Sequence, residues 1–212
     1  MTKVSNNRTH WLSCIFLFFI VISIFTSYAT GIRFTSLQAA NADQFVSKES
    51  TLLDDVEIGS FKIFLYENDD RYRTVIVEQL YRFWKLNGNS FYTNKTNDSL
   101  KLVGLCRLQT KDKGVTVVPV QSFDTKVAYI KMGTVNDEIM KNISYGQVTF
   151  FVWDKYLPWN DFNAVAYSNE DTPLYILFGY DIVNNSANVS ELRWYPFDEI
   201  RRVPVEGTEN KC

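Results

Sequence analysis

The sequence predicts an all-β, antiparallel fold: a sandwich or small barrel of about nine or ten strands, preceded by one N-terminal transmembrane or signal helix. Three observations predict it. Residues 11–32 carry no charge. From about Leu53 onward, short runs rich in Val, Ile, Phe, Tyr and Thr alternate with turn clusters. No 3.6-residue apolar period persists beyond the first segment. A βαβ arrangement needs crossover helices of about 10–15 residues, and the sequence offers none between the runs.

The first segment comes first in the argument because it sets the compartment. Its apolar core runs from Trp11 to Phe25, and Thr26 to Ile32 extend it without a charge. About 20 residues of helix cross hydrocarbon roughly 30 Å thick, and the stretch reaches that length. Lys3 and Arg8 precede it and only Arg33 follows closely, which orients the N-terminus inside and the C-terminal domain outside. Ser27-Tyr28-Ala29 has small residues at the two positions that matter for cleavage, so a signal peptide cut after Ala29, giving a secreted chain, competes with a retained anchor. The long, bulky core favours retention. The expectation is a single-pass cell-membrane protein: residues 1–10 cytoplasmic, 11–32 in the membrane, 33–52 a stalk, 53–212 an exported β-rich domain.

Strands are expected in order along that domain. Phe61–Tyr66 and Tyr72–Val77 flank Glu67-Asn68-Asp69-Asp70 as a hairpin. Leu80–Leu86 reads as a further strand, and Lys101–Thr110 and Val115–Ser122 as a second hairpin around Lys111-Asp112-Lys113-Gly114. Pro119 marks an edge strand or a bulge. Lys126–Met132, Gln147–Asp154, Asn163–Tyr167, Leu174–Tyr180 and Leu192–Phe197 continue the series, and Asn136–Lys141 reads as one helical turn.

Charge and composition exclude several classes. The net charge is -2, and setting aside Lys3 and Arg8 leaves 20 basic residues against 24 acidic. A mildly acidic exported surface without a basic block is not a nucleic-acid partner. The one histidine is His10, ahead of the apolar core. The exported domain therefore cannot build a Ser-His-Asp or Cys-His catalytic arrangement, or a histidine-ligated metal site. No glycine loop for phosphates and no CxxC pair occur, and no cofactor or metal is implied. Glu67–Asp70 lacks the spacing of a calcium loop and reads as a solvated turn. Carboxylates are what remain for catalysis: Asp154, Asp161, Asp198 and Glu199 lie beside aromatic residues. A glycosidase needs two held about 5–9.5 Å apart, and no spacing singles out a pair. A carboxylate-dependent hydrolase acting on envelope polysaccharide is therefore the alternative reading.

Aromatic residues carry the main functional expectation. Trp153-Asp154-Lys155-Tyr156-Leu157-Pro158-Trp159-Asn160-Asp161-Phe162 and Trp194-Tyr195-Pro196-Phe197 are dense clusters. An exposed indole beside Asn and Asp suits a sugar or peptide, since the ring stacks and the polar groups orient. Trp159, Asn160, Asp161 and Trp194 are the candidate binding residues, against the alternative that they fill a sandwich core. The expected role is a non-catalytic one: binding a protein, peptide or glycan at the cell surface, or supporting an envelope assembly.

Two further features concern covalent chemistry. Cys106 and Cys212 could pair across a loop of about 105 residues, worth roughly 4–5 kcal/mol on the chain-entropy account, or stand as a buried and a terminal thiol. Asn94, Asn97, Asn142, Asn184 and Asn188 open Asn-x-Ser/Thr triplets, all in expected loops, and are glycan acceptors if the host is eukaryotic.

Overall fold

The computed structural model describes residues 5–29, 31–111, 113–181 and 186–200. Helix α1 (Ser5–Ala29) leads into β1 (Ile32–Arg33), α2 (Ser36–Ala40), β2 (Thr51–Ile58), β3 (Phe61–Glu67), β4 (Arg71–Leu80) and β5 (Phe83–Asn94). Then come β6 (Leu100–Leu102), β7 (Cys106–Gln109), β8 (Gly114–Ser122), β9 (Tyr129–Thr134), β10 (Asp137–Asn142) and β11 (Val148–Trp153). A 3-10 turn (Trp159–Asp161), β12 (Val165–Tyr167), β13 (Pro173–Asp181), β14 (Ser186–Pro196) and α3 (Phe197–Ile200) follow. Outside its helices the described chain is mostly β, and every ladder is antiparallel.

The strands form three sheets. Sheet A has the order β1-β5-β4-β3-β2, sheet C the order β10-β9-β12-β13-β14, and sheet B the order β11-β8-β6 with β7 also on β8. Side-chain alternation explains how they stack. In β8, Val115 and Val117 pack with Phe61, Ile63 and Ile76 of sheet A. Val118 and Val120 point the other way and pack with Ile130, Met132, Leu177 and Trp194 of sheet C. Sheet B is thus buried on both faces, which is why β8 reads as a nearly continuous apolar run. The order of layers is A, B, C, with a core on each side of B.

This architecture corrects several expectations. Fourteen strands are described where about nine or ten were expected. Leu80–Leu86 is not one strand: Tyr81 and Arg82 form a tight turn, with Leu80 opposite Phe83. Lys101–Thr110 breaks at Gly104, where a Cβ would lie 2.9 Å from Pro119 Cγ and closer still to Thr74 Oγ1. Across that break the even-numbered side chains change sides: Leu100 and Leu102 face sheet C, Cys106 and Leu108 face sheet A. Pro119 sits in the central strand β8 opposite the break, where a ladder donor is not needed. Asn136–Lys141 is no helical turn, because Asp137–Asn142 pairs residue by residue as β10 with β9.

Residues 33–52 are not a stalk. Ala39 and Ala40 of α2 are completely buried against Phe64, Tyr66, Val75 and Val77 on the outer face of sheet A. Thr35 caps α2 by accepting from the Gln38 N–H at 3.2 Å. Helix α1 is 25 residues long, and its described apolar side chains from Trp11 to Phe25 are exposed and join no core cluster. Among the described residues, no helix is long and apolar enough to cross a membrane.

Candidate functional site

Sheet C owes its site to a simple accounting of faces. Its inward residues, Ile130, Met132, Ala166, Leu177, Leu192 and Trp194, fill the core against sheet B. The alternate residues must then point outward. Cross-strand partners place Met140, Lys131, Val165, Ile176 and Tyr195 in one row across all five strands. Four strand spacings make that row about 19 Å long. Tyr129 and Tyr167 pair in an adjacent row, and Phe178 opposes Arg193 in another. Met140 and Phe178 are exposed, the others half-buried by their neighbours except Arg193, which is also exposed. None of these outward residues belongs to a core cluster.

The tyrosines are held firmly. Their rings stack with centroids 5.1 Å apart and planes 12° from parallel. The Lys131 ammonium lies 6.0 Å from the Tyr129 ring and 5.6 Å from the Tyr167 ring, a cation over two π faces. Tyr129 Oη donates to Asp171 Oδ1 at 2.6 Å, and that bond above all pushes the phenol up to about 12. Asp171 reaches it from the β12–β13 turn, at φ 59. Arg193 stacks over Tyr195 at 4.6 Å. The face therefore presents fixed aromatic edges, a thioether, aliphatic patches and two cations, a composition typical of the centre of a protein interface.

The residues singled out from sequence fall elsewhere. Trp194 is buried in the core between sheets B and C, which removes it as a stacking surface. Trp159 lies in the 3-10 turn and packs against that same core, with Asp161 half-buried and Asn160 exposed beside it. The turn plugs one end of the core: the Gly133 N–H donates to Phe162 O at 2.6 Å, and Asn163 Nδ2 donates to Gly133 O at 3.4 Å. Trp153 is core as well, its Nε1 donating to Asp137 O at 3.2 Å. Trp159–Asp161 and the outer face of sheet C are not one site.

A separate cleft of about 480 Å³ opens beside the β7–β8 turn. Lys111, Lys113, Lys155, Tyr156 and Asp154 line it. Lys113 is engaged with Ser60 Oγ at 2.8 Å and Glu78 at 3.8 Å, and Lys155 with Asp137. Among the described residues Asp154 is the one carboxylate lining this cleft, and Asp161 lies in the core-sealing turn instead. Asp154 and Asp161, the candidate carboxylates beside the first aromatic cluster, do not both line this cleft. Among the described residues no cluster of His, Cys, Asp and Glu could hold a metal ion.

Cys106 is a free thiol, completely buried between sheets A and B, and burial pushes it up to about 12. Cys212 lies outside the described residues. Asn97 is exposed in the β5–β6 loop, whereas Asn94 and Asn142 are exposed at the last positions of β5 and β10. Asn188 falls within β14 and not in a loop, and Asn184 lies outside the described residues. No family model, curated protein or solved structure matches the chain.

The sequence carried a signal for the outer face in its alternation: Tyr129-x-Lys131, Val165-x-Tyr167, Ile176-x-Phe178 and Arg193-x-Tyr195. Register was missing. Without knowing which strands are neighbours, these pairs are scattered, and the two tryptophan clusters are denser along the chain.

Proposed function

We propose that the chain is a non-catalytic, membrane-tethered binding module displayed outside the cell, and that its partner is a polypeptide docking on the outer face of sheet C. The observation that carries this reading is the row of Met140, Lys131, Val165, Ile176 and Tyr195, outside every core cluster among the described residues, with the Tyr129–Tyr167 pair beside it. A contiguous apolar and aromatic face on an otherwise well-packed domain is a recognition surface.

The tether is supported by α1. Its charge-free part, from Thr9 to Ala29, makes about 31 Å of helix, close to the roughly 30 Å of hydrocarbon. A helix segment apolar all round, whose described side chains join no core cluster, suits an apolar surrounding. Lys3 and Arg8 on its N-terminal side keep that end in the cytoplasm. Cleavage after Ala29 would release the same face on a secreted chain.

The test places a photo-crosslinking phenylalanine analogue at Met140 or Phe178 in the full chain, expressed in its host. A discrete protein adduct is expected from both positions, absent from Glu57 in β2, and lost when Tyr129→Ala is combined with Tyr167→Ala. Equal labelling at Glu57, or none at either outer-face position, would overturn the reading. Release of reducing sugar from envelope polysaccharide, abolished by Asp154→Asn or Asp161→Asn, would replace it with the hydrolase.

A further inference from the structure

The tip of the β4–β5 hairpin is built against local preference. Tyr81 stands at φ 58, a left-handed conformation that a Cβ makes costly and that tight hairpin turns usually give to glycine or asparagine. Its ring is 98 % exposed, so no packing of that ring on the described residues compensates. A strained bulky residue held out in solvent points to something outside the domain that it meets.

Its neighbours extend an apolar surface. Phe83, across the turn, is exposed and lies 5.5 Å from the ring of Phe34, itself exposed. Leu80 and Leu37 are exposed as well. Arg33 and Arg82 flank these residues. The position of the patch in the chain says what covers it. β1 starts three residues after α1 ends, and pairs Ile32 with Lys85 and Arg33 with Trp84 beside the tip of the same hairpin. Phe34 is five residues beyond Ala29, hence within about 17 Å of the end of the apolar helix.

We infer that Phe34 and the hairpin tip Leu80–Phe83 form a membrane-facing collar, seated in the headgroup layer of the outer leaflet of the bilayer that α1 enters. This rests on the tether reading above. Aromatic rings settle at the boundary between headgroups and hydrocarbon, and arginines beside them reach lipid phosphates while their stems stay apolar. The collar would fix the tilt of the domain on its tether instead of leaving it to swing.

The experiment uses the full chain in vesicles of phosphatidylcholine and phosphatidylglycerol. A single environment-sensitive fluorophore is attached at Tyr81→Cys, in a background of Cys14→Ser and Cys212→Ser, with Cys106 left in its core. Val135→Cys serves as the control, because Val135 is 96 % exposed at the β9–β10 turn. Flotation with the vesicles is scored first. The expected result is a blue-shifted emission at position 81, quenched several-fold more by headgroup-level spin-labelled lipid than at position 135, and lost with Phe34→Ser plus Phe83→Ser. A chain that floats but shows position 81 as open to aqueous quencher as position 135 overturns the collar and leaves the tether standing. A chain that does not float overturns the tether and the collar with it.

Discussion

Sheets A and C are counterparts that end differently. Each has five antiparallel strands, and each presses one face onto sheet B. On its other face sheet A carries Phe64, Tyr66, Val75 and Val77, covered by Ala39 and Ala40 with Val46, Trp84 and Leu86 around them. Polar bonds latch that cover: Tyr66 Oη donates to Asn41 Oδ1 at 2.7 Å, and the Arg73 guanidinium sits 3.5 Å from the nearly buried Asp43. On sheet C the corresponding face joins no core cluster among the described residues. A sheet with two apolar faces needs two covers. Residues 35–46 supply the second to sheet A, and for sheet C we assign it to a partner.

The sharpest way to break that contrast is the same substitution on both faces. Val77→Glu would bury a carboxylate under α2, and should cost about 3–5 kcal/mol, as an uncompensated buried charge does. Ile176→Glu on the outer face of sheet C should cost about 1 kcal/mol, since its head can reach water. Urea unfolding of the full chain in detergent measures both. Equal losses would mean that sheet C is covered within its own chain, and the docking face would disappear.

The contrast also marks what could be read in advance. Fold class was legible because alternation is local: β3, β4, β11 and β13 lie close to where the runs of Val, Ile, Phe and Tyr put them. Layer number was not. β8 is apolar on both sides because it is sandwiched between two sheets, and its nearly unbroken apolar run over 115–120 gives no period to count. The face change at Gly104 is a tertiary event, forced by the approach of Thr74 and Pro119. Residues 33–52 looked like a stalk because two alanines and an aspartate carry little apolar signal, though their small size is what lets α2 lie close on sheet A. Trp194 stood out as a binding residue for its type, and type alone does not tell the inward from the outward side of a strand.

Alkali separates buried from exposed groups on the same layers. Burial pushes Cys106, between sheets A and B, from 9.0 up to about 12. Tyr66 under α2 rises to about 12 through burial first and then Asp55 and Asp43, and Tyr175 on the core side of sheet C through burial and its bond to Asp124. Each folded value stands above the unfolded one. The stability these groups carry is therefore complete below pH 9 and drains as the pH climbs toward 12, where only the unfolded chain ionises readily. The Cys106 share is at most about 4 kcal/mol, at about 1.4 kcal/mol for each pH unit. Cys106→Ala should delay the onset of the loss to about pH 10, where the tyrosines begin. Urea midpoints from pH 7 to 12 would show it, and an unchanged onset would mean that water reaches the thiol between the sheets.

The smallest effect compares the hairpin tips of the two outer sheets, and its sign matters more than its size. Tyr81 at the tip of sheet A is left-handed, whereas Val135 at the two-residue β9–β10 turn of sheet C is not. Tyr81→Asn relieves a backbone cost of about 1–2 kcal/mol with little change in unfolded-chain entropy, so it should raise stability by about 1 kcal/mol. Val135→Gly releases no strain and loosens the unfolded chain, so it should lower stability by about 0.5–1 kcal/mol. Thermal unfolding of the detergent-solubilised chain reads both. A gain at position 81 would mean that stability is being forgone there to keep an aromatic ring exposed, which is what a membrane contact requires. A loss would place the worth of Tyr81 inside the domain and remove the strain argument for the collar.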